Sequence, residues 1–491
     1  MAGTDGLDWR LGIGRTRSLD IVGMPLLDHF VTELGPSLLA GTEILYVNHL
    51  ISDSLMIARA FMRLGARLTS IAIPYSGIHG PVQRAVHEGF KHLGPTFLPR
   101  VPHPDQFPAA MAVAVRRAIT QLTQGLAPGE RWMIVEDGGY AFPALHDDPT
   151  LRPYLACCIG AVEHTTRGKL NDQYLETDAT PTTPRTLQRP AVTVAGSRLK
   201  TCHEGGFVAQ ALVDECGVLL RKDHQFLRYR PVMVVGYGRI GRALANQLHR
   251  LEATVVVADP NLPTTHLEYP AVGLAEALGH GVFLVFGATG IPSMTAADLG
   301  VFLRSPDQDL LYLASASSKQ IEFSQILTFF QQARTSPGLL RAVAGREGRV
   351  LCELDPAVGL RYRVELEGGT VKTCVLLAHG YPVIFFPPDT HGAPNRAMDP
   401  VMTQLLLAAA GLPQGHTSLD RRVYTVDDLH DLGELPPSWR ALVDEAGLLE
   451  RWCRHNGLDP GRYLRRIGFL KPQHRPTAAS ATTAGAGGHA G

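Results

Sequence analysis

Apolar runs alternate with helical periodicity through residues 40–165. Strand-like runs such as EILYVNHL, RLTSIAIPY and RWMIVEDGG are separated by segments with helical spacing, for example SDSLMIARAFMRLGA. This alternation predicts an α/β unit with a parallel sheet. Ligands of such units usually lie beyond the carboxyl ends of the strands, so polar residues that follow these runs are the first candidates for a functional site.

The alternation begins again at Val232. The runs VMVVGYGRIGRALANQLHRL, ATVVVADP, GVFLVFGATG and LLYLAS predict buried strands separated by helices, and hence a second α/β domain. Between the two units, residues 171–189 are rich in Thr, Pro and charge and predict a surface loop. The chain ends in TAASATTAGAGGHAG, which has little to bury and predicts disorder.

A dinucleotide-binding motif stands at the start of the second unit. In VVGYGRIG, glycines follow a strand and open a helix at G-x-G-x-x-G spacing, which allows a tight turn and lets backbone N–H groups approach a pyrophosphate. A carboxylate closes the next strand, where it accepts hydrogen bonds from a ribose 2′-hydroxyl and repels a 2′-phosphate. The motif therefore favours NAD over NADP, while FAD, S-adenosylmethionine or a tight turn without nucleotide would also explain the glycines alone. The expected cofactor contacts here are Gly236, Gly238, Arg239, Ile240, Gly241 and Asp259.

Composition narrows the class of protein. At 491 residues the chain is too long for one compact core, so two or three domains are expected. Lys plus Arg and Asp plus Glu are both 46, so no excess charge favours nucleic acid or a membrane surface as a partner. With no recognisable signal peptide or membrane span, and no CxxC unit among seven cysteines, a cytoplasmic location is expected. The 20 histidines form no HExxH or Cys/His spacing, so no metal is expected.

Read outward from GYGRIG, ordered stretches over most of residues 40–475 resemble S-adenosylhomocysteine hydrolase. NHLISDSLMIARAFMRLGA is similar to a substrate-domain segment of that family, which places His49 at its catalytic histidine and Asp53 at an adenine contact. VEDGGYAFP resembles the family's Asp-Gly-Gly turn and places Asp137 at a catalytic aspartate. SRLKTCHEGG resembles the segment with a catalytic lysine and aspartate, here Lys200 and Glu204.

Two further stretches complete the expected site. AVEHTTRG resembles the family's Glu-Glu-Thr-Thr-Thr-Gly, which places Glu163 and His164 at substrate positions and Thr165 and Thr166 against the cofactor. HGYPVIFFPPDTHG resembles the segment in which a histidine, here His391, closes over the substrate.

The resemblance also implies a domain organisation. A Rossmann NAD-binding domain is expected to be inserted in a second α/β domain that binds the substrate, followed by a C-terminal tail. FLKPQHR is similar to the family's tail, whose lysine, here Lys471, reaches the cofactor of a neighbouring subunit, so a homodimer or homotetramer is expected. The expected boundaries are 1–205 and 381–450 for the substrate-binding domain, 206–380 for the NAD-binding domain, 451–475 for the tail and 476–491 for a disordered end.

Several positions on the substrate side depart from the family pattern. His164 replaces a glutamate that holds sugar hydroxyls, Glu204 replaces an aspartate, and Ile51 replaces a threonine at the adenine. A histidine cannot supply the fixed negative charge of a glutamate, so a nucleoside with an altered sugar is expected as the small-molecule substrate.

The resemblance implies NAD-dependent oxidation of that sugar at C3′, elimination of the C5′ substituent and re-reduction, as in the 4′,5′-dehydration of a modified nucleoside in secondary metabolism. Lys200 and Glu204 would remove the 3′-hydroxyl proton, and His49 and Asp137 would move the C4′ proton and protonate the leaving group. Two alternatives stay open: a divergent enzyme that hydrolyses S-adenosylhomocysteine to adenosine and homocysteine, and a catalytically silent NAD-binding regulatory protein.

Overall fold

The computed structural model describes residues 19–74, 81–101, 106–175, 183–259, 268–317, 320–386 and 393–470. Within these ranges the chain forms two seven-stranded sheets. The strands are β1 (Thr42–His49), β2 (Arg67–Ile73), β3 (Thr96–Phe97), β4 (Arg131–Glu136), β5 (Cys158–Glu163), β6 (Ala191–Thr193), β7 (Pro231–Val235), β8 (Thr254–Ala258), β9 (Leu284–Gly287), β10 (Leu310–Ser315), β11 (Gly348–Asp355), β12 (Gly359–Leu366), β13 (Val371–Leu377) and β14 (Val423–Thr425).

The helices cover both sheets. They are α1 (Pro25–Leu34), α2 (Ser52–Arg63), α3 (Pro81–Leu93), α4 (Phe107–Gln124), α5 (Ala141–Asp147), α6 (Thr166–Gln173), α7 (Gly205–Lys222), α8 (Arg239–Arg250), α9 (Leu274–Gly279), α10 (Ala296–Arg304), α11 (Ser324–Ala333), α12 (Pro337–Ala344), α13 (Asn395–Gly415), α14 (Val426–His430), α15 (Pro437–Val443), α16 (Glu445–His455) and α17 (Pro460–Arg466). Short 3₁₀ turns lie at Arg152–Ala156, Ala378–Gly380, Val383–Phe385 and His416–Ser418, and Lys200–Glu204 forms one π-helical turn.

The first sheet is parallel throughout and has the order β14-β6-β5-β4-β1-β2-β3. All eight residues of β1 are buried, as expected for a strand with helices on both faces. Alternate residues of β1 point into two different apolar clusters, Ile44 and Tyr46 into one and Leu45 and Val47 into the other. The apolar run that predicted this strand therefore serves two cores.

The second sheet has the order β11-β12-β13-β10-β9-β7-β8. Strands β7 to β10 and β13 pair in parallel, whereas β12 is antiparallel to both β11 and β13. The α/β fold with a Rossmann-like second sheet, predicted from the alternation of apolar runs, is confirmed. The domain boundaries assigned to it stay predictions.

Helix α13 is the central buried helix of the first unit. Nearly every residue of it is buried, because α1, α2 and α15 all pack around it. Gly411 and Gly415 leave room for the indole of Trp439: a Cβ at either glycine would lie within 2.3 Å of its ring atoms. The indole N–H also donates a hydrogen bond of 3.1 Å to the Ala408 carbonyl.

The loop predicted over residues 171–189 begins later than expected. Thr165 caps α6 by accepting a hydrogen bond from the Gly168 N–H at 3.0 Å, and the helix continues to Gln173. Asn171 and Asp172 are therefore helical and buried rather than part of a surface loop.

Two other sequence predictions concern cysteines and membranes. All seven cysteines lie in the described ranges as free thiols. Among the helices of those ranges, none has the length and apolar character needed to cross a membrane.

Candidate active site

A cavity of about 420 Å³ lies where the carboxyl ends of the two sheets meet. Residues at or after the ends of β1, β4, β5 and β6 form one wall, and residues that follow β7, β9 and β10 form the other. This is the edge at which parallel sheets usually bind ligands. The first wall includes His49, Asp53, Asp137, His164, Lys200 and Glu204; the second includes Ile240, Ala288, Thr289, Gly290 and Ser317.

A carboxylate joins two histidines at the ends of three neighbouring strands. Nδ1 of His164 lies 2.7 Å from Oδ1 of Asp137, and Nε2 of His49 lies 3.8 Å from Oδ2 of the same carboxylate. His49 ends β1, Asp137 follows β4 and His164 follows β5, and the sheet order β5-β4-β1 makes these strand ends adjacent. The three side chains are therefore brought together by strand order, although they are far apart in sequence.

The charge states of this group follow from its burial. Burial lowers the pKa of His49 to about 4, against the opposing pull of Asp137, so this imidazole is neutral near pH 7. Burial alone would raise the pKa of Asp137, but His164, His49 and Lys200 together hold it below its ordinary value. Asp137 is thus a buried anion that accepts a hydrogen bond from His164.

Lys200 and Glu204 reach the same cavity from the π-helical turn before α7. Nζ of Lys200 donates to the His164 carbonyl at 2.6 Å and lies 3.6 Å from Oε1 of Glu204. Two hydrogen bonds hold this turn in place. The Lys200 N–H donates to Oγ of Ser197, and the Ser197 hydroxyl donates to Gln404. The two residues share a face, as their spacing predicted, but on a π turn rather than an α-helix.

Asp53 and Glu163 have different environments. The Asp53 carboxylate lines the cavity, accepts a hydrogen bond from the Ser54 N–H at 2.7 Å, and has its pKa raised to about 7 by burial. Glu163 was expected to bind substrate, but its side chain lies below the cavity floor. There it accepts hydrogen bonds from the backbone N–H groups of Gly138, Gly139 and Thr165. That expectation is corrected, because these contacts direct the carboxylate into the protein interior.

The glycine-rich turn has the geometry that its spacing predicted. Gly236 has φ of 94°, and a Cβ at Gly241 would lie 1.8 Å from the Gly236 carbonyl oxygen, so both positions require glycine. A Cβ at Gly238 would meet nothing within 4 Å, which leaves open space in front of the start of α8. Oδ2 of Asp259 accepts a hydrogen bond from the Tyr237 N–H at 2.7 Å and so lies at the same turn.

The remaining cofactor-side predictions are only partly brought together. Thr165, Thr166 and Ile240 line the cavity, whereas the Arg239 side chain lies near Gly205. His391 and Lys471 lie outside the described residues, so their roles and the expected homo-oligomer stay predictions.

Sequence reasoning missed part of the second wall. The turn GATG after β9 is held by Glu322, a fully buried carboxylate that accepts hydrogen bonds from the N–H groups of Thr289 and Gly290 at 2.8 and 2.7 Å. Phe385 lies across the cavity and stacks on His49, with ring centroids 4.3 Å apart and an angle of 20° between the planes. The GATG sequence directly after a strand was the signal that could have identified the first of these features.

Comparisons with known proteins give the following. No protein-family model and no curated protein matches the sequence. Similar solved structures include a 2-hydroxyacid dehydrogenase from Ketogulonicigenium vulgare, with 12% identity over 77% of this chain and 96% of that chain and a TM-score of 0.33. D-lactate dehydrogenase from Escherichia coli shows 9% identity over 76% and 97%, with a TM-score of 0.33. A glyoxylate/hydroxypyruvate reductase from Sinorhizobium meliloti, in complex with NADP and malonate, shows 14% identity over 74% and 93%, with a TM-score of 0.32.

These neighbours correct the family expected from the sequence. They are dehydrogenases and a reductase, not S-adenosylhomocysteine hydrolases, so that assignment is wrong. The nucleoside chemistry, the hydrolase and lyase activities and the silent regulatory role drawn from it are set aside with it. The physical reason is that strand-end turns and glycine-rich loops recur on α/β folds that host unrelated functions. At these identities the likeness concerns the fold alone.

Proposed function

We propose that this chain is an NAD-dependent oxidoreductase that interconverts a small alcohol and its carbonyl counterpart. The observation that carries the proposal is the shared cavity: one wall comes from the glycine-rich turn of the second sheet and the opposite wall from the acid–base groups of the first. Hydride transfer to or from a nicotinamide needs such a site, because a proton must leave or reach the oxygen of the same carbon.

The residues of the second sheet fit a dinucleotide. The open space in front of Gly238 and the start of α8 leaves room for a pyrophosphate against backbone N–H groups. Asp259 lies at the end of β8 beside this turn, where its carboxylate favours the free 2′-hydroxyl of NAD. When bound there, NAD would supply the hydride acceptor. The chain's own residues would position the substrate and transfer the proton.

His164 is the residue that we assign to proton transfer. Its Nδ1 faces Asp137, so the hydrogen-bond network assigns the Nδ1–H tautomer, and its buried Nε2 has no hydrogen-bond partner within the described residues. Nε2 is thus an acceptor that can take the hydroxyl proton when the alcohol is oxidised and return it when the carbonyl is reduced. Asp137 stabilises the imidazolium formed in between.

The other polar groups of the cavity serve to position the substrate. Lys200 holds the His164 main chain at 2.6 Å and presents a cation 3.6 Å from Glu204, so the two can hydrogen-bond a substrate oxygen from the same side. Phe385 restricts the ring of His49 by stacking on it and covers that end of the cavity. A small substrate with one or two oxygens suits this arrangement of few polar groups among apolar walls.

The test separates cofactor binding from chemistry. Calorimetric titration with NAD⁺ is compared for the wild-type protein, Gly238→Val, whose side chain would fill the pyrophosphate space, and Gly433→Val as the matched control. Gly433 also has nothing within 4 Å of an added Cβ but is remote in sequence from the turn. Absorbance at 340 nm then follows NADH formation from a panel of secondary alcohols and 2-hydroxy acids by wild type and His164→Asn.

We expect NAD⁺ to bind wild type and Gly433→Val but not Gly238→Val. We expect His164→Asn to bind NAD⁺ normally and to lose on the order of 100-fold or more in kcat. Binding of NAD⁺ to Gly238→Val with wild-type affinity would refute the dinucleotide site, and an unchanged kcat in His164→Asn would refute the assignment of the proton to that residue.

A further inference from the structure

Three carboxylates lie together beneath the cavity floor. Glu136, Glu163 and Asp172 are all fully buried, and one oxygen of each lies within 4.8 Å of the others. Glu136 and Glu163 are register partners at the ends of the neighbouring parallel strands β4 and β5, so their side chains point to the same face of the sheet. Asp172 comes from α6, which follows β5 directly.

The two glutamates are held by backbone donors. Glu136 accepts hydrogen bonds from the N–H groups of Tyr140, Ala141 and Phe142 at 2.7 to 2.9 Å, at the start of α5. Glu163 is held in the same way by the Gly138–Gly139 turn and by Thr165. Such donors stabilise the ionised form of a carboxyl group, and they fix where both side chains point.

Asp172 has no such donor within the part of the chain that the structure describes. Both of its oxygens are buried without a hydrogen-bond partner among the described residues, and its side chain is directed toward the two glutamates. Arg185 is a cation that acts on it, but that guanidinium donates to the carbonyls of Asn171 and Tyr174 and pairs with Asp147. An unpartnered carboxylate in the protein interior is costly, so something else must compensate its charge.

The charge of the cluster points in the same direction. Three carboxyl groups lie together in a buried volume, and Arg185, a cation that acts on Asp172, is already paired with Asp147. If all three are ionised, an excess of negative charge is left in the protein interior, which is costly unless it is compensated.

We propose that Glu136, Glu163 and Asp172 bind one divalent cation of the hard, oxygen-preferring class, such as Mg²⁺, Mn²⁺ or Ca²⁺. Oε2 of Glu163 accepts a hydrogen bond from Gly139 and retains a lone pair for a cation, both oxygens of Asp172 are without a partner among the described residues, and an oxygen of Glu136 lies within 4.8 Å of both. Histidine and cysteine spacings in the sequence give no sign of this site, because its carboxylate ligands are brought together by strand register and by α6.

The position of the cation gives it a structural role in the active site. Glu136 and Glu163 immediately precede Asp137 and His164, so a cation bound to them would fix the two strand ends that carry the acid–base pair. It lies below these side chains and does not touch the substrate. The inference is independent of the proposed oxidoreductase activity, because its test measures metal content rather than turnover.

The experiment is elemental analysis of the full chain purified without chelator and with added MgCl₂, MnCl₂ or CaCl₂. It compares wild type with Asp172→Asn and Asp172→Leu, and uses Asp399→Asn as the control. Asp399 is also fully buried, but its carboxylate is used by the N–H groups of Leu26 and Leu27 at 2.8 and 2.9 Å. Because the cluster has no solvent exposure, each protein is also unfolded and refolded in EDTA, and its melting temperature is measured before and after the metal is restored.

We expect about one equivalent of divalent metal per chain in wild type and Asp399→Asn, and less than about one tenth in both Asp172 variants. Wild type refolded in EDTA should melt at a lower temperature and recover with metal, whereas Asp172→Leu, if folded, should be insensitive to both treatments. Wild type that contains no metal and melts identically with and without EDTA would overturn the proposal and assign the charge compensation to protons shared among the three carboxyls. Equal metal content in wild type and Asp172→Leu would overturn it as well.

Discussion

Nδ1 of His164 lies 2.7 Å from Oδ1 of Asp137, and both side chains are buried at the carboxyl ends of adjacent parallel strands. The contact fixes the imidazole of His164, a residue that lines the cavity, and leaves its buried Nε2 without a hydrogen-bond partner among the described residues. In the proposed reaction the pair acts as one acid–base unit, because the carboxylate stabilises a proton that His164 takes up.

The first prediction concerns Asp137→Asn. The amide keeps the shape of the side chain but removes the negative charge that stabilises the imidazolium, and it can hold His164 in the wrong tautomer. We expect kcat to fall by on the order of 100- to 10,000-fold while the affinity for NAD⁺ is nearly unchanged. Steady-state kinetics and titration with NAD⁺ measure both quantities. Asp148→Asn, at a surface carboxylate paired with Arg116, is the control and should retain wild-type kcat.

The second prediction concerns cofactor choice at Asp259. Asparagine can still accept the hydrogen bond from the Tyr237 N–H, now 2.7 Å from Oδ2, but no longer repels a 2′-phosphate. In Asp259→Asn we expect the ratio of Kd for NADP⁺ to Kd for NAD⁺ to fall by about 10-fold or more. Competition titrations with both nucleotides give this ratio, and Asp298→Asn, at an exposed helix cap, serves for comparison. An unchanged ratio would show that the ribose of the cofactor does not lie beside Asp259.

Much of the fold follows from the sequence, because its signals are local. Continuous apolar runs such as ILYV in β1 are typical of a strand with helices on both faces, and they identify this strand without further information. The glycine spacing likewise reflects local backbone geometry, namely the positive φ of Gly236 and the close approach of Gly241 to the Gly236 carbonyl. Such features are specified over short stretches of chain and could be predicted.

The site was harder to predict, because the residues that contact one another in it are distant in the chain. The stacking of Phe385 on His49 and the grouping of Glu163 with Glu136 and Asp172 depend on strand order and on how the two sheets face each other. Short motifs also suggested a family that the comparisons contradict. The sequence pointed to residues at strand ends as a candidate site by their position, but the groups that they contact could be assigned only from the three-dimensional arrangement.

The third prediction concerns stability at low pH. Burial lowers the pKa of His49 to about 4, below the ordinary value of 6.5 that applies when the chain is unfolded. The unfolded state therefore binds the proton more readily, and the stabilising contribution of neutral His49 is complete above pH 6.5 and is lost as the pH falls toward 4. The shift sets an upper limit of about 3 kcal/mol on this contribution.

Urea unfolding at pH 7.5 and pH 4.5 tests whether His49 makes the protein less stable at the lower pH. In His49→Gln, which has no titrating ring, the loss of stability between the two pH values should be smaller than in wild type by up to about 3 kcal/mol. His29→Gln is the control, because the His29 side chain is 43% exposed. A loss of stability as large in His49→Gln as in wild type would show that other groups determine the acid sensitivity.

The last prediction tests the packing of α13 against α15. A Cβ at Gly411 would lie 2.2 Å from the Trp439 ring, and this buried indole is also fixed by its hydrogen bond to the Ala408 carbonyl, so it cannot move aside without losing that bond. We expect Gly411→Ala to lower the free energy of unfolding by about 1 to 3 kcal/mol, because overpacking outweighs the gain in helix propensity from alanine. Urea denaturation measures the change, with Gly433→Ala as the control at a site where an added Cβ meets nothing within 4 Å. If Gly411→Ala were as stable as the control, the close approach of the two helices at this position would be wrong.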